Sequence, residues 1–158
     1  MMLYILSEPI HTGKTTVLKA WTEERTDVGG FLSPDHEDLR QLFRLSTKEV
    51  IPFEIKDPKN EVVQSIGKFH FYNAAFAQAI QWVKEDLKNP EIQWIIIDEM
   101  GKLELLEKGF HTLLPLLKAN SQLNYILVVR ESLLSEIIAF YELVNPKIIR
   151  IKDLSSIS

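Results

Sequence analysis

Apolar positions fall along this chain in short runs whose period changes several times. Leu3 to Leu6 has strand length, and Ser7-Glu8-Pro9-Ile10-His11-Thr12-Gly13 after it reads as a loop. From Lys14 to about Glu24 the period is helical, with Val17, Leu18 and Trp21 on one face and Lys19, Glu23 and Glu24 elsewhere. Val28-Gly29-Gly30-Phe31-Leu32 predicts a second strand whose paired glycines mark a close backbone approach or a bulge. Between Leu42 and Lys56 the period is two: Phe43 and Leu45, then Ile51, Phe53 and Ile55, alternate with polar or proline positions around Ser46-Thr47-Lys48-Glu49. That pattern predicts a β-hairpin, and Phe69 and Phe71 predict a further strand beside it.

The second half alternates more regularly. Asn73 is a candidate N-cap for a helix presenting Phe76, Ile80, Val83 and Leu87 and ending at Asn89-Pro90. Ile92 to Ile97 predicts a strand in which Trp94-Ile95-Ile96-Ile97 is continuously apolar, as in a parallel strand covered by helices on two sides, and it delivers Asp98-Glu99. A helix follows with Leu106, Phe110, Leu113 and Leu117 in register, in which Pro115 must bend the axis or break a bond. Tyr125 to Val129 predicts a strand, and Ser132 can cap a helix presenting Leu134, Ile137, Ile138 and Tyr141. Asn145-Pro146 then precedes a last strand at 148–151, and the polar tail from Asp153 to Ser158 is expected to fray. Alternating strands and helices imply an α/β fold. The expected form is a three-layer α/β/α sandwich with a mainly parallel sheet and an inserted antiparallel hairpin.

Composition narrows the picture. The chain has 158 residues, a length suited to one domain over 1–158. A net charge of −4 with scattered basic residues gives no positive surface for nucleic acid. The absence of cysteine removes disulfides, thiolate nucleophiles and zinc ribbons, and fits a reducing, cytoplasmic compartment. The amino terminus carries no basic leader and no stretch of membrane-spanning length, so no membrane is expected.

The chemistry lies in two segments. Glu8-Pro9-Ile10-His11-Thr12-Gly13-Lys14-Thr15-Thr16 has P-loop spacing with its last Gly, Lys and Thr intact, between a strand and a helix as the motif requires. Such a loop turns backbone N–H groups inward at a helix N-terminus, where phosphates are favoured. Gly13 permits close approach, Lys14 reaches the β- and γ-phosphates, and Thr15 offers its hydroxyl to Mg²⁺. The second segment, Trp94-Ile95-Ile96-Ile97-Asp98-Glu99, places two acids at the carboxyl end of a buried strand, the edge at which open α/β sheets bind ligands. Asp98 suits Mg²⁺ and Glu99 suits a general base acting on water. By fold analogy with P-loop ATPases that carry such a glutamate, the strand before Arg130 lies between these two strands and aims Arg130 at the γ-phosphate; a surface arginine at a strand end is the alternative.

The run Ile96-Ile97-Asp98-Glu99-Met100-Gly101-Lys102-Leu103-Glu104-Leu105 resembles the signature of the thermophile-type, cancer-related nucleoside-triphosphatase family. The resemblance extends to the P-loop, to Val28-Gly29-Gly30-Phe31, and to Ser65-Ile66-Gly67-Lys68-Phe69 before a helix containing Ala75-Phe76, and so spans nearly the whole chain. It implies slow, Mg²⁺-dependent hydrolysis of ATP, GTP and other nucleoside triphosphates. Two residues depart from the pattern. Glu8 replaces the first glycine of the general motif, and His11 replaces a further glycine usual in the family. Glu8 either faces the phosphates and repels them, pairs with Lys14 in the absence of nucleotide, or points outward while Pro9 sets the loop path. His11 either adds positive charge near the phosphates or is a surface histidine. Arg40, Arg44 and Lys48 on the hairpin either cover the nucleotide or form a solvated face. A kinase would need to clamp a second substrate, commonly under an arginine-rich lid, and the arginines here are dispersed. A non-hydrolysing nucleotide-binding adaptor is the remaining alternative.

Overall fold

The computed structural model describes residues 2–9 and 12–157. The first strand, β1 (Met2–Leu6), leads through the loop to α1 (Lys14–Glu23) and on to β2 (Val28–Leu32). Two tight antiparallel pairings follow: β3 (Asp35–His36) with β4 (Leu39–Arg44), and β4 with β5 (Val50–Pro52). The predicted hairpin is therefore present, but its second arm does not continue as one strand. Phe53 donates its N–H to Arg40 at 3.2 Å and accepts the Tyr72 N–H at 2.9 Å. The chain thus leaves the main sheet there and enters a small one as β6 (Glu54–Ile55).

That small sheet is completed by β7 (Val63–Ile66) and β8 (Phe69–Tyr72), in the order β6-β8-β7. β8 was expected from its alternation; β7, lacking a clean period of two, was not. The hairpin phenylalanine Phe53 is buried against Phe71, Phe76 and Phe110, with ring centroids 4.6, 5.1 and 5.9 Å away. Its role is packing.

The remaining elements are α2 (Asn73–Leu87), β9 (Trp94–Ile97), α3 (Lys102–Leu105), α4 (Leu113–Lys118), β10 (Asn124–Val128), a 3-10 turn at Glu131–Leu133, α5 (Leu134–Phe140), β11 (Lys147–Ile149) and a 3-10 segment, Ile151–Ser156. The main sheet runs β11-β1-β10-β9-β2-β4-β3 with β5 on β4. Its first five strands pair in parallel, and β4 joins β2 antiparallel. Strand alternation sorts the core into two layers. Ile5, Ile95, Ile97, Tyr125 and Leu127 pack on the side of α2, α4 and α5. Leu6, Trp94, Ile96, Ile126 and Val128 pack on the side of α1 and the carboxyl-terminal segment. Both faces of the central strands are apolar because both are covered.

Three expectations are corrected. The helix predicted through Leu106, Phe110, Leu113 and Leu117 is two helices, because the buried Glu104 carboxylate accepts N–H bonds from Gly101 at 2.7 Å and Phe110 at 2.9 Å and so folds the chain back. Leu106 is left exposed, and Pro115 sits in the first turn of α4, where its missing N–H has no helical acceptor to lose. Ser132 makes no capping bond; the chain enters α5 through the 3-10 turn. The tail does not fray over its whole length, since Leu154 is buried beside α1.

The paired glycines mark a close approach. A Cβ on Gly30, at φ 87°, would lie 2.1 Å from the Ile96 carbonyl oxygen, and one on Gly29 would meet Asp86 at 2.8 Å. Asp86 itself accepts the Gly30 N–H at 2.9 Å and pairs with buried Arg44, also at 2.9 Å, which locks α2 and β4 onto β2. No helix among the described residues is long and apolar enough to cross a membrane.

Candidate functional site

At the carboxyl end of the parallel strands lies a cleft of about 260 Å³, lined by Thr12 to Thr16, Ser33, Pro34, Asp35, Arg40, Glu99 and Arg130. One wall is the loop between β1 and α1. Gly13, at φ 81°, has nothing within 4 Å of its missing Cβ among the described residues, and its backbone conformation favours glycine there. Its carbonyl accepts the Val17 N–H at 3.1 Å and starts α1. Thr12 Oγ1 and Lys14 Nζ both donate to the Pro9 carbonyl, at 2.9 and 3.3 Å. Ile10 and His11 lie outside the described residues.

The floor comes from β9. Thr15 Oγ1 and the Ser33 N–H each donate to Asp98 Oδ2 at 2.9 Å, which joins the P-loop helix, β9 and the end of β2 at one carboxylate. Burial pushes the Asp98 carboxyl above its ordinary range, and the neighbouring Glu99 charge adds to it, against those two bonds and Arg40. In a regular strand Asp98 and Glu99 would point to opposite faces. Here Glu99 has φ 75°, a conformation costing an L-residue about 1–2 kcal/mol. The chain turns at that residue, and Glu99 lines the cleft.

Two arginines hold Glu99. Arg130 Nη2 donates to Oε1 at 3.1 Å, and Arg40 Nη1 donates to Oε2. Burial opposes ionisation of Glu99, yet the Arg40 and Arg130 charges and bonds outweigh it and hold the carboxyl below its usual range. Arg130 reaches this point because β10 pairs with β1 on one side and β9 on the other, the strand order expected from fold analogy. Arg40 carries no local motif; only the return of β4 onto β2 brings it here.

Glu8 does not enter the cleft. Its Oε1 accepts the Ile151 N–H at 3.0 Å, and Oε2 lies 3.6 Å from Arg150. Glu8 thus faces the carboxyl-terminal segment and does not pair with Lys14. The outward orientation is the one the fold adopts.

The NTPase family model matches residues 4–152. The chain belongs to the NTPase family. This is the family expected from the signature after β9. No curated protein matches the sequence. Among solved structures, the fold is similar to that of THEP1 from the hyperthermophile Aquifex aeolicus, at 21% identity and a TM-score of 0.75, covering 100% of this chain and 97% of that one. It is also similar to a human cancer-related nucleoside triphosphatase, at 18% identity and a TM-score of 0.72, covering 99% and 95%. At these identities the likeness establishes the P-loop α/β architecture, and the chemistry rests on the cleft itself.

The cleft also suits one hard cation. Among the described residues no group of three or more His, Cys, Asp or Glu is arranged to hold a metal. Mg²⁺ needs no such cage, because it commonly takes one or two protein oxygens beside phosphate and water. The Thr15 hydroxyl and the buried Asp98 carboxylate are oxygen donors of that kind.

Proposed function

We propose that this NTPase binds a nucleoside triphosphate such as ATP or GTP with Mg²⁺ in the cleft and hydrolyses it slowly to the diphosphate and phosphate, as a single domain in a reducing cytoplasm. The observation that carries the reading is the Thr15–Asp98 hydrogen bond at 2.9 Å, with Lys14 and Glu99 lining the same cleft. The loop from Glu8 to Thr16, including Pro9, Ile10, His11, Thr12 and Gly13, cradles the phosphates, with Lys14 on the β- and γ-groups. Thr15 and Asp98 would hold Mg²⁺, which would supply positive charge to the phosphates. Glu99 accepts a proton from the attacking water as its oxygen bonds to the γ-phosphorus and the bond to the β–γ bridging oxygen breaks. Arg130, at the end of β10, steadies the charge on the γ-oxygens.

Phosphate release from ATP and GTP, with and without Mg²⁺, run beside nucleotide titrations, tests the reading. Wild type should release phosphate only with Mg²⁺. Lys14→Ala should lose that activity while keeping its melting temperature, since Lys14 Nζ bonds only the Pro9 carbonyl among the described residues. Nucleotide binding without phosphate release would refute hydrolysis and leave an adaptor.

A further inference from the structure

The two arginines on Glu99 are delivered differently. Arg130 follows β10, beside the strand that feeds the P-loop. Arg40 belongs to the opposite wall, on the inserted hairpin, and its backbone is fixed on several sides. Its N–H donates to Glu54 at 3.2 Å, its carbonyl accepts the Phe53 N–H at 3.2 Å, and Asp35 faces it in register across β3 and β4. The guanidinium is free of that frame. Apart from Glu99, among the described residues it has only a long bond, 3.4 Å, to Ser33 Oγ.

With Arg40 on Oε2 and Arg130 on Oε1, both oxygens of Glu99 are engaged by cations. A carboxylate so held is a poor acceptor for a proton from water. Two guanidinium groups face this one carboxylate next to Lys14, with the Asp98 and Asp35 charges also acting on Arg40. A terminal phosphoryl group has more negative charge than a carboxylate and the same fit to a guanidinium fork, so it competes for an arginine already in the cleft.

We infer that Arg40 is a further γ-phosphate-recognising residue beside Lys14 and Arg130: on triphosphate binding it passes from Glu99 to the γ-phosphoryl oxygens, freeing Glu99 Oε2 to act on water. The inference rests on the nucleotide reading above and adds a selectivity to it. A nucleoside diphosphate lacks the group that draws Arg40 away, so it leaves Glu99 held and gains nothing from Arg40. Arg40 therefore adds to the preference for triphosphate over diphosphate, and Glu99 is released only when there is a γ-phosphate to cleave.

The test is titration of β,γ-imido ATP and of ADP, each with Mg²⁺, into wild type, Arg40→Met and Arg40→Lys, with melting curves on all three. Wild type should prefer the triphosphate analogue by roughly tenfold or more, the size of one charged hydrogen bond. Arg40→Met should lose roughly tenfold of that preference with its ADP affinity retained. Arg40→Lys keeps the charge beside Glu99 without the fork, so it should fold as wild type and show an intermediate ratio. An unchanged ratio in both variants overturns the inference, and so does an equal loss for both nucleotides, which would make Arg40 only a brace for the cleft. Failure of wild type to bind either nucleotide would overturn the nucleotide reading and this one with it.

Discussion

Glycine is the residue that P-loops commonly carry where this chain has Glu8, so Glu8→Gly asks whether the glutamate opposes phosphate or braces the loop. Its carboxylate is turned to the carboxyl-terminal segment, accepts the Ile151 N–H at 3.0 Å, and is only 17% exposed. A hydrogen bond between a backbone N–H and a charged group contributes roughly 1.5–3 kcal/mol, and partial exposure puts this one near the lower end. The pair with Arg150, which is open to solvent, adds little. Glycine also frees the unfolded chain, at a cost of about 0.5–1 kcal/mol. Together these predict that Glu8→Gly destabilises the protein by about 2–3 kcal/mol, read as a lower urea midpoint at unchanged slope. Nucleotide affinity should be no better than wild type at low or moderate salt, because a carboxylate facing Ile151 does not repel a triphosphate across the loop. Were Glu8 directed inward, the repulsion at about 4 Å would be roughly 4 kcal/mol at an effective dielectric near 20. Its removal would then tighten binding strongly at low salt and less as salt is added. That salt-sensitive gain is the result that would refute the reasoning. Glu8→Gln, which keeps an acceptor for Ile151, should retain most of the stability.

Further expectations come from the two acids after β9. Glu99→Gln removes the proton acceptor and also the charge that holds Arg40 and Arg130; phosphate release should fall by at least about 100-fold while triphosphate affinity stays equal or tightens. Single-turnover assays beside titrations check this, and wild-type turnover would take Glu99 out of the chemistry. Asp98→Asn should lose Mg²⁺-dependent turnover yet melt a few degrees higher than wild type at neutral pH without nucleotide. Burial raises the Asp98 carboxyl, so the native state binds that proton more tightly than the unfolded chain. Stability therefore falls as pH rises from the ordinary aspartate range towards the raised native value, so the penalty is larger at neutral than at acid pH. The asparagine oxygen still accepts from Thr15 and Ser33, and its advantage should fade towards acid pH; a lower melting temperature at neutral pH would contradict the argument.

Strands and helices with strong periods were legible in the chain itself. The doubly apolar runs at β9 and β10 announced a covered parallel sheet, and the Gly-Lys-Thr-Thr run between a strand and a helix announced the phosphate loop. Asp98 and Glu99 at a strand end announced the acids. These readings depend on residues within a few positions of one another, where side-chain direction follows from backbone period. The long helix through Leu106 and Leu117 was misread for the same reason in reverse. Its spacing is helical, but Glu104 gains more from the N–H groups of Gly101 and Phe110 once it is buried than the helix gains by continuing.

What the sequence by itself determined is thus which segments form the sheet and which residue types gather at the carboxyl ends of its parallel strands. The partners of those residues were decided by the tertiary structure alone. Thr15 meets Asp98 across 83 positions, Arg40 meets Glu99 across 59, and Glu8 meets Ile151 across 143. No local period encodes such pairings. They follow from the order of strands in the sheet, with β10 placed between β1 and β9 and the hairpin returned onto β2. Burial makes the choice nearly obligatory, because a charged group taken out of water must find an opposite charge or a hydrogen bond within reach. The folded chain therefore turns Glu8 outward to a backbone N–H and turns Glu99 inward to two arginines.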